Sequence, residues 1–365
     1  MNSKQRVHAA LRRQPVDRVP IFMRFHPDAA GRLARTLEIP RHCVDAVLGN
    51  DVRMAWVNND YSMEGVTHER EGEGHVDPWG IRWVKQGLSN QIAESPLASC
   101  SPDEVRKYCF PLPHVEEFLS RMNPLVASAY DYFIGCNVTP CVFEMYARLR
   151  GKQQAVADLE ADPALVSEML DRCAAFAALL AEVCCRRFPL DWVWTGDDVA
   201  ALDSLLMSPE CWRRMIKPHL QLVIEVGKRH RLWVVYHCCG ALHPIIPDLI
   251  EMGVDVLNPG QANCPGMDPL ELKREFGEKL AFLGGLDAQG VLCRGSGDDV
   301  RRATRQLLDG MTAQGGGYVL STSQPVLPET PAENLFAMYA EAGLSREEID
   351  DRAAEVRAKY RPTRS

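Results

Sequence analysis

The stretch LWVVYHCCGALHPIIPDLIEMGVDVLNP, residues 232–259, runs from an apolar segment into His237, Cys238, Cys239 and Gly240, then through a helical pattern into a second apolar segment. Short runs that are apolar on both sides predict strands covered on both faces. Strand, crossover helix and strand in succession predict a parallel pair with the helix packed on the sheet. The same unit recurs outward in both directions. RVPIFMR (18–24), DVRMAWV (51–57), DYFIGCNV (131–138), DWVWTG (191–196), LWVVYH (232–237), VDVLNP (254–259), LAFLGG (280–285) and GYVLSTS (317–323) make eight runs. Amphipathic segments at 161–187, 209–230 and 297–311 supply crossover helices between them. Eight units predict an α/β fold, a (β/α)8 TIM barrel, and such barrels exceed ~250 residues as one unit. The exception is a turn-rich region at about 60–130. There DPWGIRWVKQG alternates apolar and polar residues, which predicts a small antiparallel insertion after the second barrel strand. With no linker or repeat to divide it, the chain reads as a single domain over 1–365.

Composition narrows the function classes. The chain of 365 residues is 46% hydrophobic and 25% charged, as expected of a globular protein. Its net charge of -8 and the lack of a basic stripe argue against a nucleic-acid partner. The N-terminus lacks the apolar core of a signal peptide, and no segment offers ~18 apolar residues for a membrane span. A cytoplasmic protein is expected. Its 13 cysteines follow no framework spacing, so thiols that are buried, metal-bound or reactive are expected, with no disulfides.

Parallel α/β barrels carry their chemistry at the carboxyl ends of the strands. Those positions hold Arg24 and His26, Asn58 and Asp60, Asn137 and Thr139, Asp197 and Asp198, His237 and Cys239, Asn258 and Gln261, Asp287, and residues 321–324 ending at Gln324. Residues two apart in an extended segment point to one side, so His237 and Cys239 can converge on one ion while Cys238 points away. A nitrogen and a sulfur donor suit zinc. The plainer reading is a hydrogen-bonded histidine beside two small buried thiols.

YHCCGALHPIIPDLIEMGVDVLNPGQ resembles the H-x-C-G segment of the uroporphyrinogen decarboxylase superfamily, in particular its zinc-dependent, corrinoid-linked methyltransferase branch. KQRVHAALRRQPVDRVPI, WTGDDVAALDSLLMSPECWRRMIKPHL, GMDPLELKREFGEKLAFLGGLDAQGVL and GGGYVLSTSQPVLPETPAENLFAMYAEAG extend the likeness over residues 4–343. The resemblance implies a (β/α)8 barrel. It also implies a zinc ion held by His237 and Cys239 with a later cysteine, in whose place stands Gln324.

Glu144 is the favoured replacement ligand, since zinc accepts a carboxylate. The alternatives are Asp197 and Asp198, as ligands, as catalytic groups or as a hydrogen-bond partner of His237, and then Cys136 and Cys264. Arg24, His26, Asn58, Asn258, Gln261 and Gln324 are expected to bind substrate. Tyr236 is expected to line an apolar pocket with Phe25, Trp56, Phe143 and Trp194.

The resemblance implies a demethylase or a methylcobalamin:thiol methyltransferase. It would move a methyl group between a small methylated compound or thiol and a cobalamin carried by a separate corrinoid protein, because the chain lacks the D-x-H-x-x-G cobalamin signature. A homodimer follows by analogy. The alternatives are a decarboxylase-like lyase and a non-catalytic small-ligand-binding barrel. FMRFHPDAAGRLA and GNDVRMAWVNND do not reproduce the R-Q-A-G-R and F-S-D-I segments of the decarboxylases, which counts against the lyase.

Overall fold

A computed structural model describes residues 1–58, 68–259, 261–313 and 315–360. Its strands in chain order are β1 (Val52–Trp56), β2 (Gly74–Val76), β3 (Arg82–Gln86), β4 (Ser89–Glu94), β5 (Phe133–Asn137), β6 (Trp192–Gly196), β7 (Trp233–Cys238), β8 (Val256–Pro259), β9 (Ala281–Leu286) and β10 (Tyr318–Thr322). The parallel sheet runs β1-β5-β6-β7-β8-β9-β10, and seven of the eight apolar runs therefore become its strands. Helices such as Pro163–Arg187 and Lys217–Arg229 pack outside it. β2, β3 and β4 form the antiparallel sheet expected between β1 and β5, with Trp79, Ile81 and Trp83 packed into the outer core.

The first apolar run departs from expectation. Residues 20–26 form no continuous strand but make parallel bridges Ile21 to Leu320 and Phe25 to Val326, which close the sheet against β10. Pro20 has no N–H to give, which shortens the ladder, although its carbonyl accepts from Leu320 N–H at 2.8 Å. Towards β1 the seam is tied by Asp51. Its N–H donates to Ile21 O at 2.7 Å, and its carboxylate accepts Ile21 N–H at 2.8 Å. Arg6 and Arg18 grip the same carboxylate at 2.6 and 2.7 Å, joining the N-terminal helix Ser3–Leu11 to the seam.

Strand parity divides the core in two. Phe22, Val52, Phe133, Trp192, Trp194, Val235, Val256, Ala281, Leu283 and Val319 fill the barrel interior, and Val7 and Leu11 of the first helix join them. The alternate residues, among them Ile21, Ile134, Val193, Val234 and Phe282, enter the larger core beneath the helices. Gly135 is required in β5 because any Cβ there would collide with the buried Trp192 indole. All thirteen cysteines are unpaired, in line with the expected absence of disulfides. Among the described residues, no helix is long and apolar enough to cross a membrane.

Candidate metal centre at the barrel mouth

On β7, Val235 faces the barrel interior, and the same parity carries His237 and Cys239 to the mouth. Tyr236 and Cys238 lie in the outer core. The chain turns away immediately after Cys239. Gly240 adopts φ +88, and a Cβ there would collide with the Ala201 carbonyl, which accepts the Ala241 N–H at 2.9 Å. The glycine of H-x-C-G thus lets the chain turn away directly behind the Cys239 thiol.

His237 Nε2 and Cys239 Sγ lie 3.6 Å apart. His237 Nδ1 approaches Asn258 Oδ1 at 2.7 Å and the Asn258 carbonyl at 3.1 Å. Asn258 Nδ2 donates to Leu283 O at 2.6 Å, and this fixes which end of the amide faces the ring. With acceptors on that side, Nδ1 carries the proton and Nε2 keeps its lone pair toward the thiol. Burial pushes the imidazole pKa below its ordinary value, favouring the neutral ring. Burial pushes the Cys239 thiol well up, and neighbouring Asp198 and Glu144 add to the rise. A cation at the site would reverse the thiol shift.

Parity also separates the two aspartates that follow β6. Asp197 turns outward and accepts N–H groups from Val142, Phe143 and Glu144 at 3.2, 2.8 and 2.8 Å, capping the helix Phe143–Arg150. Burial, followed by the charge of Glu144, raises its carboxyl pKa to about 8 against the pull of these three donors. Asp198 turns toward the mouth, where its Oδ1 accepts the Cys239 N–H at 2.8 Å. Among the described residues, Asp198, His237 and Cys239 are the group whose ligand atoms all lie within 4.8 Å of one another.

Glu144 lies one hydrogen bond further out. Its Oε2 accepts Asp198 N–H at 3.2 Å and its Oε1 pairs with Arg148 at 2.7 Å, so Asp198 rather than Glu144 joins the histidine and cysteine. Nitrogen, thiol and carboxylate donors, with an oriented ring, fit a zinc ion. Cys136 and Cys264 lie in the outer core, away from this group.

Other expected site residues are distributed unevenly. Arg24 lies close enough to influence both His237 and Cys239, with its guanidinium 5.9 Å from the Trp56 ring centre, and the Trp194 ring lies tilted with its centre 6.2 Å from that of His237. Gln261 and Gln324 share a pocket past the ends of β8 and β10.

Three expected substrate contacts are engaged elsewhere. Tyr236 belongs to the outer core and donates to Asp197 O at 3.3 Å. His26 Nε2 meets Leu88 O at 2.7 Å, and its Nδ1 accepts Asp28 N–H at 3.1 Å, so the ring caps a helix and anchors the antiparallel sheet. Asn58 donates to Val138 O and Pro140 O at 3.0 and 2.6 Å, bracing the loop after β5. Phe143 likewise lies in the outer core, whereas Phe25, packed against that core, lines a cavity with Arg24 and Trp56 as expected. Asp60 lies outside the described residues.

Asn258→Leu is expected to weaken zinc binding by about 10–100-fold, the effect of losing a partner that orients a ligand histidine. Competition against a chromogenic chelator measures it. Undiminished affinity would show that the ring needs no such partner.

A family model described as uroporphyrinogen decarboxylase (URO-D) matches residues 133–343. Among solved structures, a methyltransferase from Methanosarcina mazei is similar at 19% identity, covering 94% of this chain and 98% of that chain, with a TM-score of 0.68. At that identity the likeness shows a shared fold. A glycosylated endo-β-1,4-xylanase from Gloeophyllum trabeum has 10% identity over 61% of this chain and 80% of that chain, and a TM-score of 0.41. A GH113 β-1,4-mannanase, at 10% identity over 93% and 99%, has the same TM-score of 0.41. Neither bears on function. No curated protein matches the chain.

Proposed function

The chain belongs to the uroporphyrinogen decarboxylase family, and from that premise we propose that it is a zinc-dependent methyltransferase working with a separate corrinoid protein. The observation that carries this reading is the convergence of His237 Nε2, Cys239 Sγ and the Asp198 carboxylate at the mouth of the barrel. Zinc held by these three residues would supply Lewis acidity, favouring the thiolate of a methyl acceptor or polarising the heteroatom of a methyl donor.

The remaining work falls to the chain itself. Asn258 fixes the His237 tautomer, and Asp198 ties the end of β6 to the backbone of Cys239. Glu144 accepts the Asp198 N–H from behind, which favours an orienting role for it over ligation. Arg24 sits against Trp56 with no carboxylate paired to it among the described residues. Its charge would hold an anionic group of the small substrate while the Trp56 ring lines the approach above the buried Trp194. In this reading residues 1–365 act as one cytoplasmic barrel unit, and the corrinoid protein docks over its mouth.

The test mixes the zinc-loaded chain with methylcobalamin and a small thiol, and separately with reduced cobalamin and methyl aryl ethers. Loss or gain of the cobalt-bound methyl group is followed by absorbance. Methyl transfer in one direction, abolished by chelation and in Cys239→Ala, is expected. Absence of transfer in both directions, or transfer indifferent to chelation, would overturn the reading.

A further inference from the structure

Past the ends of β8, β9 and β10 lies a second pocket of about 230 Å3, lined by Gln261, Ala262, Asn263, Asp287, Gln289, Ser323 and Gln324. Neither His237 nor Cys239 contributes to it. Four of the seven lining residues carry side-chain carboxamides, and none is cationic or aromatic. An anionic group would find no counter-charge there and would meet the carboxylate of Asp287, while an apolar group would leave the amides unpaired.

The bonds within the pocket leave a defined set of groups unspent. Gln289 Nε2 donates to Gln324 Oε1 at 3.0 Å. Asp287 Oδ1 accepts the N–H groups of Gln289 and Gly290, both at 2.9 Å. What remains includes the Gln289 carbonyl, the amide N–H groups of Gln261 and Gln324, the Asn263 carboxamide and the second oxygen of Asp287, which is to say acceptors beside donors. A primary amide presents the complementary set, one carbonyl and two N–H groups, and can pair with a carboxamide in both directions.

We propose that this pocket binds primary carboxamides and, resting on the methyl-transfer reading above, that it receives the amide side chains edging the corrinoid ring as the partner docks. Its position on the same strand-end face as the candidate metal centre places such a contact to one side of the reacting atoms.

Equilibrium dialysis of the full chain against dicyanocobinamide, most of whose side chains end in primary amides, and dicyanocobyrinic acid, whose side chains end in carboxylates, tests it. The amide form is expected to bind at least about tenfold tighter, to be displaced by acetamide and not by glycerol, and to lose about tenfold in Gln289→Leu combined with Asn263→Leu. Equal binding of the two corrinoids, or a double variant with full affinity, would overturn the proposal. Both substitutions are at exposed positions, and an unchanged zinc content in the variant checks that the barrel is intact. Amide preference in a chain that transfers no methyl group would overturn the methyl-transfer reading and keep the pocket. Methyl transfer by a chain indifferent to the amides would overturn the pocket alone.

Discussion

Cys239→Ala and His237→Ala should each strip the chain of zinc while leaving the barrel folded. Each removes one of three donors whose ligand atoms lie within 4.8 Å, so affinity should fall beyond the ~10–100-fold that follows loss of an orienting partner. Both residues stand at the partly exposed mouth and not among the interior side chains, so the circular dichroism and the unfolding midpoint should stay close to those of the parent. Metal analysis after dialysis without chelator gives the result directly. Two further variants separate the carboxylates. Asp198→Asn keeps an acceptor for the Cys239 N–H but loses the anionic donor, so it should release metal. Glu144→Gln, one hydrogen bond behind, should have the smaller effect. Full metal content in both the His237 and the Cys239 variants would remove the metal centre from consideration.

The largest loss of stability should come from Asp51→Ala. The carboxylate is fully buried and receives Arg6, Arg18 and the Ile21 N–H, so its removal leaves the little-exposed Arg18 guanidinium with only the Val19 and Gly49 carbonyls and Arg6 with Asp17 as its remaining ion pair. Breaking a buried pair from one side typically costs about 3–5 kcal/mol. The cost should be felt at the seam, where residues 20–26 have no continuous ladder to β1 to compensate. Urea unfolding should show the loss, and hydrogen exchange should report faster opening at Ile21 and Phe22 than in β6 or β7. A midpoint within the error of the parent would show that the backbone bridges to β10 suffice to close the barrel.

Much of this architecture was readable from the chain. The seven runs that became strands are apolar on alternate residues for two different reasons, interior and helix layer, and both reasons leave the same mark on the sequence. The run at 18–24 carries the same mark yet forms only bridges, because Pro20 interrupts its donors and its tie towards β1 rests on the N–H and carboxylate of Asp51, 30 residues away in sequence. Long-range clips of that kind leave no local pattern.

The convergence of His237 and Cys239 was legible because parity along one strand is a local property. The carboxylate that joins them was not, since it depends on which of two adjacent aspartates faces the mouth. The information was nonetheless present: counting by twos from the interior residues Trp192 and Trp194 passes through Gly196 to Asp198, while Asp197 falls on the helix side. The same count assigns Tyr236 to the outer core. Asn58 and His26 have interior parity and are nonetheless used as braces, because the loop after β5 and the antiparallel sheet bring carbonyls to them that no strand pattern announces.

The alternation along β7 also sets which genetic changes the site can survive. A point substitution at 237 or 239 alters one donor and leaves the other in place. Deleting or inserting a single residue within the strand would shift the register, bringing Tyr236 or Cys238 round to the mouth and sending the imidazole under the helices. Exchange of one donor type for another is therefore compatible with the layout of this centre, whereas a change in the length of the strand beneath it is not.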